Sequence, residues 1–405
     1  MRVLLIGSGG REHALAWKLR QSSLLDELHA APGNPGIAGL GKCHPVRAED
    51  GEGLLDLARN LEADLVVVGP EAPLVSGVAD ELRHAGVRVF GPGRAAAQIE
   101  GSKTFAKDVM RAAGVPTADT LAVARPPCVV KVDGLAAGKG VFVCPDQASL
   151  DEALRAVGRL GQPLVIEELL DGEEVSLFAV ADGRNAVALA PARDYKRIGD
   201  GDIGPNTGGM GSFSPVAGIS AANAQELLET VHLPVLAELA SRGRQFVGLL
   251  YAGLMLTQAG PKVLEFNCRF GDPETQAILP RLDGDLLEVL AAAAGGDLRG
   301  ITTSTGDDAS VTVVLASHDY PERGDSGTPI EGADDAAAAA LVFHAGTAVR
   351  GGQLVTNGGR VLNVTGLGPT LGAAREAAYA ACASISFDGM QYRRDIAART
   401  ADVAT

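Results

Sequence analysis

The sequence lacks the features of a membrane, secreted or nucleic-acid-binding protein. No stretch approaches the ~20 uncharged apolar residues that span a bilayer. The N-terminal apolar run, Val3 to Ile6, ends in glycines, as a first strand does and a signal peptide does not. No basic run is present and the net charge is −15, which argues against nucleic-acid binding. We therefore expect a cytoplasmic protein in which locally placed Lys or Arg meets any anionic ligand.

Cysteine is scarce and carries no pattern. The chain has five cysteines and no C-x-x-C pair, so we expect neither a disulfide framework nor a zinc site, and a reducing compartment fits. Cys268 lies inside the most polar motif of the chain. Because no paired histidine accompanies it, we interpret it as a small packing residue rather than a nucleophile.

The length and the order of patterns predict several domains. A chain of 405 residues is too long for one typical core and predicts two to four domains. Over residues 1–95 strand and helix patterns alternate, which predicts right-handed βαβ units around a parallel sheet. Ligands of such sheets gather at the carboxyl ends of the strands, which here carry GSGGREH, APGNPG and GPEAPL.

The rest of the chain is less regular. We predict a long helix over Ala222–Arg242 and a hairpin over residues 248–267, whereas residues 193–215 are glycine-rich and show no secondary-structure pattern. From residue 309 onward short strands and one final helix indicate a small α+β unit.

The first glycine turn, GSGGREH, invites a dinucleotide-binding interpretation that the residues do not support. The third glycine of G-x-G-x-x-G is replaced by Glu12, and the second strand ends in Ala30 and Ala31 without an acid for a ribose hydroxyl. NAD is therefore disfavoured. The turn still suits a phosphate or carboxylate at a helix N-terminus, although a plain strand-to-helix turn explains it equally well.

The second glycine loop, DGLAAGKGV, resembles a Walker loop only superficially, because its glycine spacing is short and Gly140 stands where Ser or Thr would bind Mg²⁺. A glycine-rich hairpin of this kind can fold over a nucleotide and offer Lys139 to phosphates. Lys131 and Lys103 add cations nearby. Any one lysine could be a solvated charge, but three in one region favour phosphate binding.

Two further stretches carry weaker signals. IEELLDGEEVS places acids at a strand end, where backbone groups could meet adenine and Glu174 a ribose, although acids in a loop are usually only solvated. NTGGMG, residues 206–211, suggests backbone approach to a ligand, with a flexible loop as the alternative.

The stretch VLEFNCRFGDPETQ carries the strongest signal. Glu265 and Asn267 are two residues apart in a strand and therefore share a face. Oxygen ligands on one face suit Mg²⁺, which completes its shell with phosphates and water. Arg269 and Asp272 follow at once, and the guanidinium could hold a carboxylate or a transferring phosphoryl group. The alternative is a buried Arg–Glu pair.

In this order, the motifs resemble the ATP-grasp family and, within it, the glycinamide ribonucleotide synthetases (phosphoribosylamine–glycine ligases). The resemblance covers nearly the whole chain. Its most specific stretches are RFGDPETQ and GPNTGGMG, and it also rests on GSGGREHALAW, APGNPG, VGPEAPLVSGV, GPGRAAAQIEGSK, KVDGLAAGKGV, VIEELLDGEEVS, DYKRIGDGDI, LYAGLM, FHAGT and TNGGRVL.

The resemblance implies a fold, a reaction and a set of site residues. The fold would be an N-terminal parallel α/β (pre-ATP-grasp) domain over residues 1–100, an ATP-grasp domain over 101–308 with a glycine-loop lid at about 119–192, and a C-terminal α+β domain over 309–405. The reaction would join glycine to phosphoribosylamine with ATP and Mg²⁺ or Mn²⁺, through glycyl phosphate, in a monomer.

The implied catalytic residues are Arg269, Asp272 and Lys139. The implied ATP contacts are Lys103, Lys131, Gly138, Lys139, Gly140, Glu167, Glu168, Leu170, Glu174 and Asn267, and the metal ligands are Glu265 and Asn267. The implied substrate contacts are Gly9, Gly10, Arg11, Glu12, Pro70, Glu71, Asp194, Lys196, Arg197, Asn206, Gly208, Gly271 and Pro273.

Some features depart from the family pattern. The segments at residues 121–127 and 150–162 are short, so we expect a smaller or more mobile lid. The strand before Glu265 has no acidic residue, so we expect ATP phosphates to supply more of the metal ligands. Three other functions are alternatives: a related ligase with another acid, a non-catalytic nucleotide sensor, and a nicotinamide oxidoreductase. The stretch RFGDPETQ argues against a related ligase. The presence of Glu265, Asn267 and Arg269 argues against a non-catalytic sensor, and Glu12 argues against an oxidoreductase.

Overall fold

The computed structural model describes residues 1–135, 140–158 and 161–398. Its N-terminal part is an α/β unit. The strands are β1 (Arg2–Gly7), β2 (Glu27–Pro32), β3 (Lys42–Cys43), β4 (Leu65–Val68) and β5 (Val89–Phe90). The helices are α1 (Gly10–Leu19), α2 (Pro35–Ala38), α3 (Gly51–Asn60), α4 (Glu71–Ser76), α5 (Val78–His84) and α6 (Arg94–Gly101). All pairings are parallel in the order β3-β2-β1-β4-β5, which confirms the predicted parallel sheet. Because β1 pairs with β4, the turns that follow these two strands lie side by side.

A small antiparallel sheet follows the helix α7 (Lys103–Ala113). Its strands are β6 (Cys128–Val132), β7 (Val141–Cys144) and β8 (Leu164–Glu168), with β6 in the centre and α8 (Gln147–Gly158) packed on it. The glycine loop joins β6 to β7. Two of the predicted site residues in it, Gly138 and Lys139, lie outside the described residues.

The central region is built on a second antiparallel sheet. Its elements, in chain order, are β9 (Glu173–Asp182), β10 (Ala186–Ala188), β11 (Arg193–Asp194), β12 (Arg197–Gly199), β13 (Ile203–Asn206), β14 (Gly211–Ser214), α9 (Ala221–Leu227), α10 (Leu233–Ser241), β15 (Val247–Thr257), β16 (Gly260–Asn267), α11 (Glu274–Ile278), β17 (Leu282–Asp283), α12 (Leu286–Ala294) and β18 (Ser304–Thr305). The sheet order is β10-β9-β15-β16, and β15 and β16 form the predicted hairpin.

The C-terminal region completes a third sheet. Its elements are β19 (Ala309–Ala316), β20 (Asp325–Pro329), α13 (Ala333–Ala337), β21 (Leu341–His344), β22 (Thr347–Arg350), β23 (Gln353–Gly358), β24 (Arg360–Gly368) and α14 (Leu371–Cys382). The order β11-β14-β19-β24-β21 shows that this sheet takes two strands from the central region. Our expectation of no regular structure over residues 193–215 is therefore wrong. These strands are short and glycine-rich, and the partner of β14 is β19, about a hundred residues further along the chain.

Three other observations bear on the sequence analysis. All five cysteines are free, and Cys268 is fully buried in the largest apolar cluster, as its packing role requires. Within the described part of the chain, no helix has the length and apolarity needed to cross a bilayer. The predicted helix over Ala222–Arg242 is interrupted by a π-helical turn, Leu228–His232, between α9 and α10.

The π turn buries a histidine, and this gives a prediction about acid stability. His232 is fully buried against the Phe266 ring, and neither ring nitrogen has a hydrogen-bond partner among the described residues. Burial lowers its pKa to about 4 from an ordinary 6.5. The folded protein therefore holds this histidine neutral. The favourable contribution of the neutral ring to folding is fully present above pH 6.5 and is lost as the pH falls toward 4, because the unfolded chain binds the proton first. We expect up to about 3 kcal/mol of loss from this group.

The measurement is the unfolding temperature between pH 7.5 and 4. In His232→Leu the acid-induced drop should be smaller, because the titrating group is gone. The exposed His84→Gln variant is the matched control and should follow the wild type. Equal pH dependence in all three proteins would contradict the assignment.

Candidate active site

A cavity of about 540 Å³ is lined by segments of the N-terminal α/β unit and of the three antiparallel sheets described above. Its walls come from the end of α6 and the start of α7, from the strands of the small antiparallel sheet, from β16 and the segment after it, from residues 193–208, and from Arg360 at the start of β24. Within the described residues, its lining brings together most of the polar motifs singled out in the sequence. One region of the molecule therefore collects groups from every part of the chain.

β16 presents its polar side chains to this cavity. Glu265 and Asn267 line it and are half-buried, whereas Phe266 and Cys268 are buried in the core. This alternation confirms the shared face predicted from the spacing. Opposite Glu265 on β15 stands Gly253, so the neighbouring strand adds no acidic ligand.

Arg269 is enclosed by carboxylates. Its Nε lies 3.1 Å from Glu71 and its Nη2 3.2 Å from Glu100, while Nη1 donates to the Phe270 carbonyl at 3.2 Å. The Asn267 side-chain oxygen accepts a long contact of 3.4 Å from Nη2. The buried Arg–Glu pair that sequence left open is thus present. Most of the guanidinium donors are already engaged within the protein.

These charges shift the acid–base properties of their neighbours. Burial would raise the pKa of Glu71, but the charges of Arg269 and Arg11 lower it to about 2. Burial raises the pKa of Glu100, and the Glu71 charge adds to the rise against the opposing Arg269. Burial disfavours the charged form of Arg269, yet Glu100 and Glu71 hold its pKa well above the usual range. The guanidinium is therefore a permanent cation at the cavity wall.

The turn after β1 supplies a second arginine. Arg11 donates through Nε to Glu12 at 2.6 Å and through Nη1 to the Phe270 carbonyl at 3.0 Å, and it lines the cavity. Glu12 does not line it. Its other oxygen accepts from the Gly9 backbone at 2.6 Å and so caps the start of α1. The physical role seen for Glu12 is therefore to hold the turn and orient Arg11.

Asp272 is held by the C-terminal region. Arg360 donates to its carboxylate at 2.9 Å and to its carbonyl at 2.7 Å, and also to the Gly208 carbonyl at 2.7 Å. Burial would raise the pKa of Asp272, but Arg360 and Arg11 lower it. One side chain of β24 thus ties the reactive segment to the loop before β14.

The small antiparallel sheet and α7 contribute three lysines. Lys131 and Lys107 both contact the buried Glu167 carboxylate, at 2.7 and 2.8 Å. Lys131 also donates to the Leu264 carbonyl at 2.8 Å, and Lys103 donates to the Gly134 carbonyl at 3.0 Å. Glu167 therefore neutralises two lysines instead of offering its carboxylate to a ligand.

A further lysine lies between two acids of the cavity. Lys196 contacts Glu174 closely, and its Nζ lies 3.7 Å from Glu265. Burial disfavours its charge, but Glu174, Asp194 and Glu265 hold its pKa well above the usual range. Burial would raise the pKa of Glu265, and Lys196, Lys131 and Lys103 lower it. Glu265 is therefore held ionised by cations from three elements.

The family models match the chain in three consecutive parts. The N domain of phosphoribosylglycinamide synthetase matches residues 1–100, its ATP-grasp (A) domain residues 101–275, and its C domain residues 310–399. The chain belongs to the phosphoribosylglycinamide synthetase family. The predicted α/β, ATP-grasp and α+β architecture is that of this family.

Relatives of the synthetase family match over the full length. Phosphoribosylamine–glycine ligase of Streptomyces coelicolor is 51% identical, over 99% of this chain and 100% of the relative, and that of Rhizobium meliloti is 49% identical over 98% of each. The crystal structure of the Thermotoga maritima ligase covers 98% of this chain and 100% of its own, with a TM-score of 0.83 and 36% identity. The biotin carboxylase domain of Hydrogenobacter thermophilus 2-oxoglutarate carboxylase, at 16% identity and TM-score 0.69, shows the fold alone.

Most of the residues expected from the synthetase resemblance reach the cavity. Those that line it are Arg11, Glu71, Lys103, Lys131, Gly140, Glu167, Glu168, Leu170, Glu174, Asp194, Lys196, Arg197, Asn206, Gly208, Glu265, Asn267, Arg269 and Asp272. Those that do not are Gly9, Gly10, Glu12, Pro70, Gly271 and Pro273. Several of the latter make room for neighbours: a Cβ on Gly10 would lie 2.3 Å from the Asn363 amide, and one on Gly271 2.6 Å from the Glu274 carboxylate.

Among the charged residues of the synthetase cavity that the sequence analysis did not predict are Glu100, Glu274 and Arg360. All three lie inside stretches that carried the resemblance, but nothing in their local pattern marked them as buried. Glu100 also accepts from the Cys268 backbone at 2.7 Å. The only local signal was an acid or a base beside a glycine turn, which is also typical of a solvated loop.

Proposed function

We propose that this chain is a phosphoribosylamine–glycine ligase: it joins glycine to 5-phosphoribosylamine with hydrolysis of ATP to ADP and phosphate. The observation that carries the proposal is the convergence on one cavity of Lys103 and Lys131, the Glu265–Asn267 pair and the arginine of the N-terminal turn. The full-length similarity to ligases of this name supports it.

The nucleotide fits the part of the cavity between the lid and β16. Met110, Val129, Met255 and Leu264 give it an apolar lining, which suits an adenine ring. Lys103 and Lys131 would face the phosphates from there. We assign the phosphate contacts to these side chains. Glu167 holds Lys107 and Lys131 in place.

The donor set fits a divalent metal. Glu265 offers an ionised carboxylate and Asn267 a carboxamide oxygen from one strand face, the hard oxygen ligands that Mg²⁺ takes. No group of three or more His, Cys, Asp or Glu is arranged for metal binding in the described part of the chain, so the remaining positions would fall to phosphates and water. Bound there, Mg²⁺ would neutralise charge on the transferring phosphoryl group. Mn²⁺ is the alternative.

The chemistry needs positioning more than covalent help. A carboxylate is a poor acylating group, and phosphoryl transfer from ATP converts the glycine carboxyl into glycyl phosphate, which the ribosylamine nitrogen then attacks with loss of phosphate. The cations around the cavity offset the negative charge of the phosphates. Arg269 fixes the Asn267 amide and adds its charge. We do not assign the glycine carboxylate to Arg269, because most of the guanidinium N–H groups already bond Glu71, Glu100 and the Phe270 carbonyl.

Phosphoribosylamine would enter from the N-terminal side. Arg11 and Glu71 reach the cavity from the ends of β1 and β4, where ligands of parallel sheets bind. The glycine turn behind them begins α1, and although its Gly9 N–H already bonds Glu12, the helix N-terminus suits a phosphate. The ribosyl phosphate would lie there, with its amine directed to the β16 side.

We further propose a monomer that acts in the cytoplasm, on small-molecule substrates and without a nucleic-acid partner. The acidic charge, the free cysteines and the names of the relatives support this setting.

The test is an ADP-release assay with ATP, Mg²⁺, glycine and phosphoribosylamine. We expect ADP only when both glycine and phosphoribosylamine are present at steady state, with glycinamide ribonucleotide formed in equal amount. ADP release that is equal without glycine would contradict the proposal. Replacing glycine by bicarbonate tests the related carboxylase reaction, for which we expect no product.

A further inference from the structure

The hairpin formed by β12 and β13 needs support from elsewhere in the chain. Among the described strands its two strands pair only with each other, residues 200–205 are exposed, and Ile203 is 67% exposed. A two-stranded hairpin on its own is marginally stable in water. Arg197, Asp202 and Asn206 nevertheless bring this hairpin to the cavity wall, so another segment must fix its position.

Arg393, in the segment after α14, binds the hairpin. The residue is 1% exposed and is not among the described residues that line the cavity. Its Nη1 donates to the Asp202 carboxylate at 2.7 Å and to the Arg197 carbonyl at 3.1 Å. Its guanidinium carbon lies 4.7 Å from the centre of the Tyr195 ring. One buried cation therefore contacts the hairpin at its turn, at its first strand and just before it.

Asp395 completes this link. Its carboxylate accepts from Nε and Nη2 of Arg393 at 2.7 and 2.6 Å, and such a two-bond contact fixes the guanidinium plane. The same carboxylate accepts from the Gly201 N–H at 2.8 Å and so reaches the turn of the hairpin. Burial disfavours the charge of Arg393, but Asp395 and Asp202 hold its pKa above the usual range.

The helix α14 anchors the segment that carries Arg393. The Tyr379 hydroxyl donates to the Arg393 carbonyl at 2.8 Å, and Arg375 donates to the carbonyls of Arg394 and Ile396 at 2.6 and 3.0 Å. The apolar face of α14 packs in the core of the C-terminal region. The hairpin is therefore tied, through Arg393, to a rigid part of that region.

The turn residue of the hairpin suits this link. Asp202 has a φ of 58°, in the left-handed region that glycine adopts freely and that Asp adopts at a cost. A glycine at this position would avoid the cost but could not bind Arg393. The ion pair gives a physical reason for an aspartate here.

The base of the hairpin contacts two parts of the site. Asn206 donates to the Val141 carbonyl at 3.0 Å, at the start of β7 and directly after the glycine loop. Lys196, the residue before β12, contacts Glu174 and lies 3.7 Å from Glu265. A shift of the hairpin would therefore disturb its contacts with β7 and with the predicted metal ligand together.

We propose that Arg393 is a positioning residue for the ligation reaction: it fixes the β12–β13 hairpin against the cavity and so holds Lys196 beside Glu265 and Asn206 beside β7. This inference rests on the proposed ligase function. Phosphoryl transfer depends on positioning, and a displacement of about 1 Å can lower a rate by about 10²-fold. Arg393 would act through the hairpin, without contact with a substrate.

The kinetic experiment compares Arg393→Gln and Asp202→Asn with the wild type. In Arg393→Gln we expect the kcat of glycine-dependent ADP release to fall by about 10²-fold, and in Asp202→Asn by about 10-fold, because Asp395 still binds the guanidinium. The Asp202 side chain is 61% exposed, so its substitution tests the link without disturbing a buried site. Arg394→Gln, the same change at the exposed neighbour, is the matched control and should keep the wild-type kcat.

Two further readouts separate positioning from general stability. The affinity for ADP alone should stay within about threefold in both variants, because the apolar nucleotide wall lies on α7, β6, β15 and β16. The hydrogen-bonded amides of residues 197–206 should exchange with solvent at least about 10-fold faster, while those of β19 and β24 keep their wild-type rates.

Rescue and coupling complete the test. Arg393→Lys keeps the charge but loses the two-bond contact with Asp395, so it should recover part of the kcat. The variant with both Arg393→Gln and Asp202→Asn should match Arg393→Gln within about twofold in kcat, because the two substitutions break the same link.

Three results would overturn the proposal. A wild-type kcat in Arg393→Gln, despite faster exchange in the hairpin, would show that the contact serves the fold alone. Equally faster exchange in β19 and β24 would show a loss of stability instead of position. Additive losses in the double variant would show that Asp202 acts in the cavity itself. If instead the wild type shows no glycine-dependent ADP release, the ligase function fails, whereas hairpin exchange still tests the Arg393 contact.

Discussion

Glu265→Gln should abolish turnover while the protein remains folded. The variant keeps the size of the side chain but loses the negative charge that Lys196, Lys131 and Lys103 hold ionised in the wild type. With a neutral amide there, the divalent metal loses its only charged protein ligand in the proposed site. We expect glycine-dependent ADP release to fall by at least about 10³-fold, the upper range for removal of one electrostatic group.

The decisive readout is metal binding in the absence of turnover. Titration with Mn²⁺ in the presence of ADP should show a strong loss of affinity in Glu265→Gln, and a smaller loss in Glu265→Asp, which retains the charge. Glu226→Gln, exposed on α9, is the matched control and should behave as wild type. Turnover near the wild-type rate, or unchanged Mn²⁺ affinity, would refute the assignment of Glu265 as a metal ligand.

Arg269→Gln should both destabilise and inactivate the protein. The substitution leaves Glu71 and Glu100 without their shared cation in a buried setting, and breaking such a pair typically costs about 3–5 kcal/mol. It also frees the Asn267 amide, which the guanidinium contacts. The measurement is the urea midpoint of unfolding of the ligand-free protein, together with the ADP-release rate.

Between pH 7 and 5 the variant's stability should depend more strongly on pH than that of the wild type, because Glu71 then joins Glu100 in having a raised pKa. In the wild type the pKa of Glu71 is lowered to about 2 from an ordinary 4.5, so its stability contribution is present above pH 4.5 and is lost as pH falls toward 2. Without Arg269 the two buried carboxylates favour their protonated forms. The variant should therefore gain stability as pH falls from 7 to 5, and the gap to the wild type should narrow.

A second substitution provides the control. Adding Glu100→Gln to Arg269→Gln removes one of the two orphaned charges and should recover part of the lost stability but none of the activity. Arg269→Lys keeps the charge and should lose less stability than Arg269→Gln. If Arg269→Gln unfolds at the wild-type urea concentration, the charge network does not stabilise the fold as described.

Local patterns were enough for the regular elements of this chain. The apolar run from Val3 to Ile6 lies within β1, and the predicted hairpin over residues 248–267 is formed by β15 and β16, because each is an apolar run bounded by glycine or polar residues. The same period-2 argument placed Glu265 and Asn267 on one face. By contrast, β11 to β14 have too few residues for a period to show, and their pairing depends on distant segments.

The sequence by itself determined the family, the parallel N-terminal sheet and the shared face of the Glu265–Asn267 strand, since these depend on local spacing and on motifs read in order. Only the tertiary structure decided which charges are neutralised. Glu71 and Glu100 reach Arg269 from 198 and 169 positions away, and Arg360 reaches Asp272 across 88. A buried charge needs a partner of opposite sign, and folding decides which distant segment supplies it.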